Sequence, residues 1–116
     1  MEGLAEVLGG LNRDSNIEQA AIITRDGLLL KMMPENTVIA NFAATMATVL
    51  GAAETALAEV GRGIPDRIII ETGKCRIIVM GSGPKALVTT VIKSDACIEQ
   101  ILKKMENVAE KIKLSL

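Results

Sequence analysis

The chain has no histidine, tryptophan or tyrosine and a single phenylalanine. Without histidine it lacks the side chain that most often works as a general base near neutral pH, and the usual imidazole ligands of zinc. With one phenylalanine as its sole aromatic residue it lacks the set of platforms on which unpaired bases stack. Its carboxylates and lysines form no recognisable nucleophile and base pair, so no catalytic residue, metal site or cofactor site is expected and an enzyme is disfavoured. Neither charge sign is in excess: 13 basic and 14 acidic residues leave a formal charge of -1. Broad attraction to nucleic acid or to an anionic membrane is therefore not expected. The two cysteines, Cys75 and Cys97, form neither a CxxC pair nor a disulfide framework. They read as reduced thiols, with Cys97 expected in core packing although a first-turn position could lower its pKa. The opening MEGLAEVLGG is acidic where a signal peptide would be basic, which points to a cytoplasmic location.

One stretch invites a phosphate-binding reading. VMGSGPKALV places two glycines, a proline and a lysine between apolar runs. However, Ala86 follows Lys85 where a magnesium-binding hydroxyl would stand, and Pro84 removes a backbone donor. The β-branched run after it favours a strand over a helix. The stretch is expected to be a hairpin turn.

What is present is apolar periodicity. At 116 residues and 49% hydrophobic content, the chain suits one domain over residues 1–116. Leu4, Val7, Leu8 and Leu11 recur at helical spacing, and Gly9 and Gly10 are expected to end or fray that helix early. EQAAIITRDGLLLKMM gives two strands around Asp26-Gly27, a pair in which both residues tolerate positive φ. Pro34, Glu35 and Asn36 predict a break and N-cap, followed by a long helix from about Thr37 to Val60 that Gly61 and Gly63 would stop. RIIIET, CRIIVM and ALVTTVI predict an antiparallel meander whose two faces are both apolar and need cover on both sides. A last helix, capped by Ser94 or Asp95, carries Ile98, Ile101, Leu102, Met105, Val108, Ala109 and Ile112 along one stripe. Docking of this helix on the sheet is favoured over a membrane surface, because its polar face mixes both charge signs. The order defines an α+β domain.

The long helix is the informative element. No charged residue occurs between Asn36 and Ala53, a run of 18, yet its Ala, Thr and Asn content is too polar for a bilayer span. Projected at roughly 100° per residue, Ile39, Phe42, Ala43, Met46, Val49, Leu50, Ala53, Leu57 and Val60 make a bulky side suited to the sheet. Nearly opposite lie Ala40, Ala44, Ala47, Thr48, Gly51 and Thr55, all small and uncharged. Alanine is a good helix former, which is one explanation. The other is close approach of a second backbone, most simply the same helix of a second copy about a two-fold axis.

The strand, turn and strand AAIITRDGLLL, the helix ANFAATMATVLGAAETALAEVG, the strands RIIIETGKCRIIVMGSGPKALVTTVI and the closing amphipathic helix resemble the roadblock, or dynein light chain, family over nearly the whole chain. The resemblance implies a profilin-like fold, with a five-stranded antiparallel sheet, one long helix on one face and the terminal helices on the other. It also implies a homodimer or heterodimer through the long helix and the third strand, here Arg67, Ile68, Ile69, Ile70 and Glu71. With no segment beyond the core domain, the chain is most similar to the stand-alone prokaryotic MglB-like members. Family members scaffold or regulate small Ras-like GTPases, so the implied function is a noncatalytic dimeric adaptor that biases the switch segments of such a GTPase. The implied partners are a second copy and a Ras-like GTPase, with neither nucleic acid nor direct membrane insertion. Arg62 or Arg67 as an arginine finger is disfavoured, since each also reads as a solvated residue at an element end. Two alternatives are a structural adaptor that binds a peptide or another roadblock subunit regardless of nucleotide, and a small-molecule sensor.

Overall fold

The computed structural model describes residues 3–34 and 41–116. The elements follow in the order α1 (Leu4–Asn12), β1 (Ile17–Thr24), β2 (Leu29–Met33), α2 (Phe42–Glu59), β3 (Ile68–Glu71), β4 (Cys75–Ser82), β5 (Ala86–Lys93) and α3 (Ile98–Ser115). The five strands form one antiparallel sheet in the order β2-β1-β5-β4-β3. The N-terminal hairpin and the meander thus join through β1 and β5, whose ladder runs from Ile17–Ile92 to Thr24–Ala86. The edges of the sheet are β2 and β3.

Both faces are apolar and both are covered. On one side α1 and α3 bury Val7, Leu8, Leu11, Ile101, Met105 and Ile112 against Ile22, Ile78, Val88 and Ile92. On the other, α2 lays Ala43, Met46 and Leu50 on Ile23, Met32, Val79 and Leu87. Burial of such side chains, at roughly 25 cal/mol per Å² of apolar area, drives both layers together. Hydroxyls inside the sheet are satisfied locally: Thr89 donates to the Ile78 carbonyl and Ser82 to the Ala109 carbonyl.

Several sequence expectations change. The first helix runs through Gly9 and Gly10 to Asn12, because Val7, Leu8 and Leu11 anchor it to the core and outweigh the glycine penalty. In the β1–β2 turn only Gly27 takes positive φ, at 93°, and Asp26 does not. The turn holds four residues, Arg25 to Leu28, closed by hydrogen bonds from Thr24 N–H to Leu28 O and from Gly27 N–H to Thr24 O. Asp26 instead accepts the Thr24 hydroxyl at 2.6 Å. The predicted break at Glu35 and Asn36 and the helix start at Thr37, together with Ile39 and Ala40, lie outside the described residues; α2 is described from Phe42. It ends at Glu59, and Val60, placed above on the sheet side, is 65% exposed. The α3 N-cap is Cys97, not Ser94 or Asp95, and no side chain caps it. Cys97 is exposed beside the Glu99 carboxylate, not packed in the core.

The β1–β2 turn also seats α2. A Cβ built on Gly27 would stand 3.0 Å from Ala44 Cα, so at this point two backbones meet with no side chain between them. Far from α2, Asp14 closes the α1–β1 loop: it accepts the Asn16 N–H at 2.9 Å and the Lys104 ammonium of α3 at 2.7 Å. The Lys104 hydrogen bond, then that of Asn16, holds the Asp14 carboxyl below its ordinary value of 3.8.

Two outcomes are expected. Gly27→Ala combines left-handed strain with a contact against helix backbone and lowers stability by about 1–3 kcal/mol, measured by urea unfolding; unchanged stability refutes the close seating of α2. Because the folded pKa of Asp14 is depressed, its contribution is present above the ordinary value and lost as pH falls through the folded one. Asp14→Asn therefore costs about 0.5–1.5 kcal/mol at pH 7 and nothing once both forms are protonated in strong acid. Parallel unfolding curves between these limits measure the convergence.

Candidate interaction surface

The outward side of α2 presents Ala44, Thr48, Gly51 and Thr55, of which Gly51 is half-buried and the others exposed. The threonines do not offer free donors. Thr45, Thr48 and Thr55 each bond back to the carbonyl four residues earlier, on Asn41, Ala44 and Gly51, at 2.9, 2.8 and 3.0 Å. This back-bonding occupies the hydroxyl donors within the helix itself, on a face of small uncharged side chains. A Cβ built on Gly51 meets nothing within 4 Å, so nothing in its own chain demands a glycine there. Ala47, half-buried like Gly51, differs from its companions in packing against the layer beneath α2. Ala40 lies outside the described residues.

The β3 residues named from the resemblance form the sheet edge beyond β4. Ile68, Ile69, Ile70 and Glu71 pair with Val79, Ile78, Ile77 and Arg76 on one side only. Ile69 is 38% exposed, and Val60 and Ile64 on the connection from α2 are 65% and 80% exposed. The outward side of α2 and the β3 edge thus each leave apolar groups open.

An ion pair that sequence reasoning missed fixes the end of α2. Arg25, from the β1–β2 turn, donates Nη1 to both oxygens of Glu54 at 3.1 and 3.0 Å. Its Nε and Nη2 both donate to the Gly83 carbonyl in the β4–β5 turn. Gly81 makes room for it, since a Cβ there would stand 2.9 Å from Arg25 Nη2. The available signal was Glu54, the first charge after the 18-residue neutral run. A cleft of about 720 Å³ opens beside this pair, walled by Leu50, Ile64, Pro65 and Pro84. The guanidinium is already committed to Glu54 and Gly83, so it is a poor anchor for an anionic ligand.

The glycine-rich stretch VMGSGPKALV spans the end of β4, the turn and the start of β5: Gly83 takes φ 71° and a strand follows it, so the turn does not lead into a helix N-terminus. Among the described residues no group of His, Cys, Asp and Glu could hold a metal ion, and no helix is long and apolar enough to cross a membrane. Arg62 is exposed after α2, and Arg67 is half-buried against α3, where Nη2 meets Glu106 at 3.3 Å.

Comparison with known proteins places this geometry. An uncharacterized protein of Methanocaldococcus jannaschii is 31% identical over 110 residues, covering 92% of this chain and 94% of its own. The structure of Myxococcus xanthus MglB superposes with a TM-score of 0.88 at 12% identity, over 97% of this chain and 93% of that one. A further MglB, solved with a tetrameric arrangement, gives 0.82 at 19% identity, over 98% and 91%. These structural likenesses establish a shared fold. The family description of the Roadblock/LC7 domain matches residues 4–92, and with its five-stranded sheet between α2 and the terminal helices the chain belongs to the Roadblock/LC7 domain family.

Proposed function

We propose that the protein is a noncatalytic dimeric adaptor that binds a small Ras-like GTPase and biases its switch conformation. The observation that carries this reading is the outward side of α2, an exposed helical face without charge whose hydroxyls are all turned back on their own helix. Such a face suits a second backbone better than it suits water. In this reading the open β3 edge adds backbone donors and acceptors to the contact. The dimer interface comprises Ala44, Ala47, Thr48, Gly51 and Thr55 of α2, with Ala40 before it, and Arg67 to Glu71 along β3. Ala47 contributes from its margin, since it also packs on the sheet. The solved MglB with a tetrameric arrangement is a precedent for self-association in this fold.

The adaptor supplies geometry to the GTPase. Hydrolysis belongs to the bound nucleotide, its magnesium and the positioned water, and a dimer that prefers one switch arrangement shifts the population towards it. Arg67 already engages Glu106, which disfavours it as an inserted arginine finger. The protein acts in the cytoplasm in this reading, where such GTPases work.

Gly51→Arg separates the dimer from the fold. The new side chain meets nothing in its own subunit, so the domain stays folded while the mass in light scattering falls to 12.3 kDa. A folded Gly51→Arg protein of unchanged dimeric mass rules out contact through this face. Partner choice is read by capture from native lysate with GDP or a nonhydrolysable GTP analogue, followed by hydrolysis assays on what is retained. A Ras-like GTPase held under one nucleotide supports the regulator. A set of partners indifferent to nucleotide, with no GTPase in it, supports the peptide or subunit adaptor instead.

A further inference from the structure

β4 is longer than one of the strands that flank it. It pairs with β5 along its whole length, Cys75–Ser82, but with β3 only from Arg76 to Val79. Met80, Gly81 and Ser82 therefore have a strand on one side alone. Two hydrogen bonds fix the direction of their backbone groups. The Thr89 hydroxyl of β5 donates to the Ile78 carbonyl, and the Thr72 N–H just past β3 donates to that of Cys75. Successive residues of a strand aim their backbone groups to opposite sides, so Gly81, like Cys75, Ile77 and Val79, aims its N–H and C=O towards β3. Extending the ladder two residues beyond the pair of Ile68 and Val79 would set Asp66 opposite Gly81. Asp66 lies outside β3, and no backbone bond joins the two.

Two clefts meet at this missing rung, and Asp66, Gly81 and Gly83 line both. The larger, about 720 Å³, opens on the α2 side between Leu50, Ile64 and Pro65. The smaller, about 350 Å³, opens on the α3 side beside Glu106, Ala109 and Glu110. Gly81 itself is half-buried.

The unmet polar groups are of both kinds. Gly81 offers a donor and an acceptor. Arg67 Nε, on the smaller cleft, is an enclosed donor without an acceptor. Glu54 and Glu106 are engaged by Arg25 and Arg67, whereas the carboxylates of Asp66 and Glu110 have no ion pair or hydrogen bond among the described residues. An anion would satisfy the donors and face the carboxylates; a cation alone would satisfy the carboxylates and leave the donors bare. An extended polypeptide serves both, because each residue carries one backbone donor and one acceptor. Its successive side chains point to opposite faces. One falls in the larger cleft, where Ile64 is 80% exposed and an apolar group is required. The next falls beside Asp66 and Glu110, where a cation is required.

We propose that the open end of β4 takes an extended segment of another protein in which an apolar residue and a lysine or arginine follow one another. The backbone of that segment bonds to Gly81 as an added strand, its apolar side chain covers Ile64, and its cation lies on Asp66 and Glu110. This site is separate from the dimer and GTPase reading above and depends on neither.

Amide exchange and NMR titration of the isotopically labelled protein test it, with two blocked hexapeptides as ligands, one alternating lysine with valine and the other glutamate with valine. In the free protein the Gly81 amide is expected to exchange at least about tenfold faster than that of Val79, which faces its partner Ile68 on β3. The lysine peptide is expected to shift the Gly81 amide and to slow its exchange about tenfold once present at about ten times its Kd; the glutamate peptide does neither. Asp66, Glu110 and Ile64 are exposed, so their variants stay folded. Asp66→Lys combined with Glu110→Lys, and separately Ile64→Ser, are each expected to weaken the lysine peptide about tenfold. A Gly81 amide as protected as that of Val79 in the free monomer means that the rung is closed within the chain, which overturns the site. Protection that appears only as the protein self-associates, followed by light scattering, gives the rung to a second copy and overturns the foreign segment. Equal binding of the two peptides overturns the role of Asp66 and Glu110. No shift at Gly81 with the lysine peptide at millimolar concentration overturns the proposal as a whole.

Discussion

A sheet that is apolar on both faces must be covered twice, and the cover it receives is unequal. Two helices close one face and a single helix the other. Both faces nevertheless keep an opening near β3: on the α2 side a cleft walled by Leu50, Ile64 and Pro65, and on the α3 side the exposed Ile69 and a smaller cleft beside Glu106 and Ala109.

The layers were legible because their residues repeat with the period of the element that carries them. The α3 stripe is an example: Ile101, Met105, Val108, Ala109 and Ile112 are all buried, with Ile98 and Leu102 at the margin. The bulky side of α2 was legible for the same reason at Ala43, Met46 and Leu50. Element ends were less so. Gly9 and Gly10 carry a local penalty in a helix, but the decision is made by Leu8 and Leu11 meeting residues far along the chain. Cys97 looked like a small core residue, yet the stripe begins one residue later and leaves it outside.

The candidate surface was half legible. The small face of α2 is visible as composition, and the position of β3 at the sheet edge follows once the strand order is known. Ala47 shows the limit of projecting residues on an ideal wheel: at the border between two faces, a methyl group small enough for either goes to the one with a hydrophobic layer beneath it. Arg25 and Glu54 were not legible at all, because they are separated by 29 positions and meet only after the β1–β2 turn has folded against α2.

That turn has a mechanical consequence. It touches α2 twice, with the Gly27 backbone against Ala44 and the Arg25 guanidinium on Glu54. The two supports are ten residues apart, about 15 Å along a helix axis at 1.5 Å per residue. A rod held at two separated points neither pivots nor slides freely. The hairpin and α2 therefore form one lever arm, and a force applied at the turn is delivered along the length of the helix to whatever lies against its outer side.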